Sequence, residues 1–476
     1  MILVHKMNQM NFLRTIFLLS LTLFSFLASA QLPPNIPICT AEGMQRLPQA
    51  TGAGSIVSDG EGGVVVVFED LRTNSWDIYV QRVDAVGNVL WETNGLSVCR
   101  KPGYQGSAQI VRTGKQFVIA WWDLPDVKRH IYAQALNLSG EILWKAEGVP
   151  VCTHPKGASA PTMLSDGKGG VLCIWGSDRD GYSNLYLQRL NADGQPMFDI
   201  DGIPIFPTKK LRNYLSKPSS FQVVKGDAND FYVVWWEESR INEYHIMVHR
   251  LNINGKHLWK SPIVALPEKM SQGRAIVTSD GDGGIIIAWH PFSNYTADDL
   301  YAQRINPKGK KPWGKRGVAI CKADGIQKDA TVVSDGNGGV VAVWVDERDI
   351  YADIYAQRIS AKGKAMWQAD GIPICTAGSL QTFPRIVRKG KDEFLIAWVD
   401  YRDDLGFESK NAIYGQRINL NGQSLWDTDG KPFFTSAGYH LQFFNMHFSE
   451  SQLTVVWNDA KIDLGDIYLR QMNLKD

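Results

Sequence analysis

The chain has 476 residues, 44% of them hydrophobic and 11% aromatic, with 50 basic and 49 acidic side chains. That apolar content excludes intrinsic disorder, and a net charge of +1 excludes a nucleic-acid binder driven by phosphate contacts. Length alone allows about three domains of roughly 150 residues, but 16 tryptophans and 44 glycines call for a separate explanation.

Residues 1–30 read as an address. Lys6 and Arg14 precede an apolar run from Ile16 to Leu27, and the run ends in Ala28-Ser29-Ala30, a small-x-small pattern of the kind signal peptidase cuts. The run is too short to span a bilayer comfortably. A secretory signal peptide is predicted over 1–30, and an exported chain, periplasmic or extracellular, over 31–476. Loss of Lys6 and Arg14 moves the net charge from +1 to −1. Ile36-Pro37-Ile38 lacks the small residues that precede a lipidated cysteine, so Cys39 is not expected to be an anchor. No later stretch is long and apolar enough to be a membrane span.

Ile36–Cys39 matches the end of a repeat whose body does not precede it. The bodies follow. Aligned on Asp-Ile-Tyr-x-Gln-Arg, the central residue recurs as Tyr79, Tyr132, Tyr186, Met247, Tyr301, Tyr355, Tyr414 and Tyr468, at intervals of 53 to 61 residues. Upstream of each lies an aromatic in an apolar run: Phe68, Trp121, Trp175, Trp235, Trp289, Trp344, Trp398 and Trp457. Downstream lies another: Trp91, Trp144, Phe198, Trp259, Trp313, Trp367 and Trp426. These two positions absorb 13 of the 16 tryptophans, leaving Trp76, Trp122 and Trp236.

Within a unit four short strands are predicted. Thr331-Val332-Val333 comes first, and Ser334–Gly339 is a glycine turn. Val340–Val345 is the buried run, Asp353–Ile359 alternates as a third strand, and Ile372–Cys375 is the fourth. Nothing beyond residue 30 has the period of a long helix. Asp466–Asn473 matches a third strand with no fourth after it, so Ile36–Cys39 is expected to complete the last unit. The predicted fold is all-β: a single eight-bladed β-propeller of four-stranded blades, closed by the N-terminal strand. A seven-bladed ring and an open solenoid are the alternatives.

The unit resembles the Asp-Gly-x-Gly-Gly, Trp-x-Asp-x-Arg, Asp-Ile-Tyr-Ala-Gln-Arg repeat of exported bacterial β-propeller proteins. It is more distantly similar to the TolB-type propeller repeat, as in Ser165-Asp166-Gly167, Ser177–Gly181 and Leu185-Tyr186. The resemblance covers nearly all of 35–476. It implies architecture, since propellers host binding proteins and enzymes alike.

Repeated motifs read as framework. Cys39, Cys99, Cys152, Cys321 and Cys375 share one repeat position, too far apart on different blades for disulfides, so buried thiols are expected; Cys173 lies in another strand. Asp280-Gly281-Asp282-Gly283 has a calcium-loop flavour, but sister turns carry Glu61, Lys168 and Asn337 where Asp282 sits, which favours a tight turn. Asp70/Arg72, Asp346/Arg348 and Asp400/Arg402, with Asp178/Arg179 as a variant, are read as turn hydrogen bonds and inter-blade ion pairs. So are Gln81/Arg82 and Gln357/Arg358. His154, His249, His257, His290, His440 and His447 are scattered. His245 and His249 are four apart in a predicted strand, which does not match the zinc-helix pattern. No metal, cofactor or catalytic residue is assigned.

Function is sought where the repeat breaks. One insertion, around Pro207–Tyr214, lies between the last strand of one unit and the first of the next. The other, Arg402–Glu408, lies between second and third strands. Strands alternate in direction, so both open on the same face. Loops on that face also carry aromatics, and Trp76, Tyr182, Tyr214, Tyr295, Tyr351 and Phe407 are the candidate ligand contacts; Tyr244 is another loop aromatic. The leading expectation is a monomeric, non-enzymatic propeller that binds a glycan or a protein through this face. The alternative is a carbohydrate-active hydrolase or lyase with acidic residues at the mouth of the central channel.

Overall fold

Runs such as Val340–Asp346 and Val64–Asp70 hold valine and aromatic residues without a polar face, and all seven residues of each are buried. Strands covered on both faces read this way. Each forms the second strand of a four-stranded antiparallel sheet, and eight such sheets make up the fold, an eight-bladed β-propeller. The computed structural model describes residues 34–48, 54–125, 127–181, 183–206, 221–227, 229–240, 243–266, 272–291, 299–402, 411–435, 444–449, 451–459 and 465–474. Among the described residues there is no helix, and none long and apolar enough to cross a membrane.

In chain order the second strands are Val64–Asp70, Gln116–Leu124, Val171–Ser177, Asp230–Arg240, Ile285–Pro291, Val340–Asp346, Glu393–Asp400 and Gln452–Asp459. They number blades one to eight. Blade six has the expected plan: Gln327–Ser334, Val340–Asp346, Asp353–Ile359 and Ile372–Cys375. Its first strand begins earlier than Thr331, because a bulge between Lys328 and Thr331 interrupts the alternation and places Asp329 at φ +51°. Blades two and seven carry the same bulge, with Ser107 and Phe383 at positive φ. In blade one the first strand is split into Gln45–Arg46 and Ile56–Ser58.

The ring closes as the termini require. Ile36 pairs with Leu469, Pro37 with Tyr468 and Cys39 with Ile467. Asn458 tightens the seam: its Nδ2 donates to the Gln45 carbonyl at 3.0 Å, and its Oδ1 accepts the Leu47 N–H at 2.9 Å.

The tryptophans join blades. Trp344 and Trp398 are fully buried, and Trp398 packs with Val341, Val343 and Val345 of the preceding blade. Burying such side chains contributes about 1.5–3 kcal/mol each. The downstream set reaches forward: Trp313 Nε1 donates to the Ala361 carbonyl of the next blade at 2.9 Å, and Trp91, Trp144, Trp259 and Trp367 repeat the bond. The receiving turn needs glycine. Gly363 has φ +74°, and a Cβ there would lie 2.9 Å from the Trp313 ring.

Candidate functional site

The loops that join second to third strands, and each blade to the next, open on one face. At its edge, three blades share one cluster. In blade six, Asp346 accepts from the backbone N–H of Arg348 at 3.0 Å and from its guanidinium at 2.8 and 2.6 Å. Trp344 Nε1 donates to the same carboxylate at 2.7 Å. Arg348 also donates to the Asp370 carbonyl at 2.8 Å, contacts Cys321 Sγ of the preceding blade at 3.4 Å, and lies 3.9 Å over the Tyr355 ring. Blade seven repeats this with Asp400, Arg402, Cys375 and Tyr414, and blade one with Asp70, Arg72, Cys39 and Tyr79.

The cluster is framework, with one correction to the expectation: the ion pairs lie within a blade, and the neighbour is reached through the cysteine sulfur. Arg82 behaves alike, pairing with Asp59 and Glu61 of its own blade and crossing to the next through the Leu138 carbonyl at 3.0 Å. All six cysteines are free and buried. Burial pushes Cys39, Cys99, Cys321 and Cys375 up to about 12, so they stay as thiols. The Asp280 turn also follows the framework reading. Its carboxylate accepts the N–H groups of Asp282 and Gly284 at 2.7 and 2.8 Å and pairs with Arg304.

Blade four dismantles the cluster. Aligned on tryptophan, Glu237 stands where Asp346 stands and Ser239 where Arg348 stands, while Phe206 replaces the cysteine of the preceding blade. Across the ladder, Asp346 faces Asp353, whereas Glu237 faces His245. Directly opposed residues share a face of the sheet. Glu237 is 1% exposed and neither of its carboxyl oxygens has a hydrogen-bond partner. Burial pushes its pKa up to about 8, which keeps the carboxyl protonated at neutral pH. His245 is buried, and its Nδ1 is unpartnered. The two side chains share a face of the sheet, and no hydrogen bond joins them.

Farther along the same strand, His249 Nε2 meets His257 Nδ1 at 2.6 Å. Burial and then the His257 charge lower His249 to about 4, so this pair is neutral at pH 7. No group of three metal-ligating side chains occurs among the described residues.

The aromatic candidates divide. Trp76 is half-buried, with the Arg46 guanidinium 4.0 Å over its ring, and its carbonyl accepts the Gln105 N–H at 2.8 Å. One face of the ring is therefore already covered. Tyr351 is 53% exposed and its neighbour Ile350 93%. Tyr182, Tyr214, Tyr295 and Phe407 lie outside the described residues, as do the side chain of Tyr244 and most of both insertions. Trp236 packs toward blade five, against the cluster holding Tyr232 and Trp289, while Trp235 faces blade three and Phe206. Glu237 is not among the candidates the sequence offers, and His245 enters there only through its spacing from His249. The signal was there: each is a departure from the residue type at its repeat position.

No family model and no curated protein matches the chain. Among solved structures, the polysaccharide lyase Uly1 is similar with a TM-score of 0.52 and 11% identity, over 93% of this chain and 100% of that one. An ulvan lyase of a new polysaccharide lyase family gives 0.48 and 10%, over 82% and 97%. An α-L-arabinanase from Penicillium chrysogenum, complexed with arabinobiose, gives 0.38 and 12%, over 69% and 98%. The likeness to Uly1 is one of fold.

Proposed function

We propose that this chain is a carbohydrate-active enzyme, a polysaccharide lyase, working at the loop-bearing face with Glu237 and His245 as its proton-transfer pair. The observation that carries the reading is the buried, unpartnered Glu237 carboxyl, placed where three sister blades hold a fully satisfied aspartate. A fold gains nothing from such a group, since an unmet buried polar atom costs about 1–3 kcal/mol. A proton donor set near pH 8 gains a task.

Elimination suits the pair better than hydrolysis. Glycoside hydrolases use two carboxyl groups flanking the bond, and here one carboxyl faces an imidazole. In elimination the base, His245, takes the proton from the carbon next to a uronate carboxylate. That electron pair forms a C=C bond, the adjacent C–O bond breaks, and Glu237 protonates the leaving oxygen. The full-length fold likeness to a polysaccharide lyase is consistent with this and supports it no further. The test is to incubate the purified chain with a panel of polysaccharides and follow ultraviolet absorbance of the new C=C bond together with reducing ends. Both should rise in step. Reducing ends without the double bond would mean hydrolysis, and neither would mean no enzyme.

A binding propeller without catalysis is the second reading, favoured by the exposure of Tyr351 and Ile350. Under either reading residues 1–30 are an export leader, 31–476 acts as a monomer in the periplasm or outside the cell, and the repeat belongs with exported bacterial propellers, TolB-type ones more distantly.

A further inference from the structure

We propose that the cleft between blades two and three is an anion-binding subsite that holds a carboxylate or sulfate group of a polysaccharide. The inference rests on the reading of the chain as carbohydrate-active and names its substrate class. The cleft has a volume of ≈ 510 Å³ and opens on the loop-bearing face. Lys128 and Arg129 line it from the loop between second and third strands of blade two, and Lys156 from the link to blade three. Asp178 is the one carboxylate among its described lining residues. Among its described lining residues three are cations and one is an anion.

Two further observations separate this from a solvated basic loop. The first is a break in the repeat: Ser177 stands where sister blades carry Asp70, Asp346 and Asp400, and Gly176 stands where they carry Glu69, Val345 and Val399. Both replacements shrink the wall, and the carboxylate of the repeat moves one residue on, to Asp178. The second is rigidity. The Arg129 guanidinium sits 4.6 Å from the centroid of the Trp122 ring, and the Arg129 carbonyl accepts the Ala158 N–H at 3.0 Å. Ser177 Oγ donates to the Gly157 carbonyl at 2.8 Å, tying the link to the same wall. A guanidinium held on an aromatic face keeps its planar fork of donors, which matches carboxylate and sulfate oxygens. No aromatic ring is among the described lining residues, so the platform a neutral sugar would stack on is not part of them.

Affinity gel electrophoresis of the full chain tests this with three probes: polygalacturonate, dextran sulfate and neutral dextran. Retardation is expected with polygalacturonate or dextran sulfate, whichever acidic group the site takes, and none with dextran. The variant Lys128→Glu/Arg129→Glu/Lys156→Glu should weaken binding at least about tenfold. Lys308→Glu/Lys310→Glu, in an exposed turn on the opposite face, should bind as the parent does, and thermal melts confirm folding of both. Equal binding of dextran, no binding of either anion, or a triple variant that binds like the parent would overturn the subsite. If the triple variant binds normally while Glu237→Gln abolishes turnover, only the subsite is wrong. If it loses binding and no polysaccharide is ever cut, the subsite stands and the enzyme reading falls.

Discussion

Glu237 and Asp346 occupy the same repeat position and have opposite electrostatics. Asp346 is buried against an arginine and an indole N–H, whereas Glu237 is buried against neither. Burial alone raises Glu237 to about 8, from an ordinary value near 4.5. The sign of the consequence follows from proton counts. Between those two values the unfolded chain releases the proton and the folded chain keeps it, so stability falls as pH rises. The contribution is complete below about pH 4.5 and gone above about pH 8. Thermal melts from pH 5 to 8 should therefore show the parent losing stability relative to Glu237→Gln, which has no proton to lose. Parallel curves would mean that Glu237 ionises normally in the folded chain.

At the scale of the blade, the regular elements were legible and the irregular ones were not. Val340–Asp346 declares itself because both its faces are buried, and Ile372–Cys375 because it recurs. The bulge at Asp329 leaves no compositional mark, since a residue at positive φ there need not be glycine. Spacing between histidines does not show that His245, like His130 in blade two, stands where the repeat carries aspartate. The turn glycines were legible as turns, but their contact with the previous blade's tryptophan was not. This contact separates two substitutions. Gly363→Ala meets both a positive φ and the Trp313 ring, while Gly314→Ala at φ +82° has no atom within 4 Å of the added carbon. The second should cost about 1 kcal/mol and the first clearly more by urea denaturation. Equal costs would remove the turn–tryptophan contact from the account of inter-blade packing.

For the whole ring, closure depends on one short strand. Ile36–Cys39 covers the edge of Asp466–Asn473, and Asn458 stitches the seam to Gln45 and Leu47. A chain starting after Thr40 should melt earlier and aggregate, because it exposes the edge of Asp466–Asn473. An unchanged melting temperature would mean that the ring does not close through this strand. Ring symmetry also limits where chemistry can reside. Whatever recurs in blades one, six and seven holds the ring together, and what departs from it in blade four, or opens a cleft between blades two and three, is free for another use.

That distinction is tested most directly by one paired comparison, turnover and melting temperature of Glu237→Gln against Asp346→Asn, two amide replacements at equivalent positions. The account expects Glu237→Gln to lose about 10²-fold or more in turnover of its polysaccharide with no loss of stability. It expects Asp346→Asn to keep turnover and lose stability, because Arg348 is left without its carboxylate. Full activity in Glu237→Gln, or the same loss of stability in both, would contradict it.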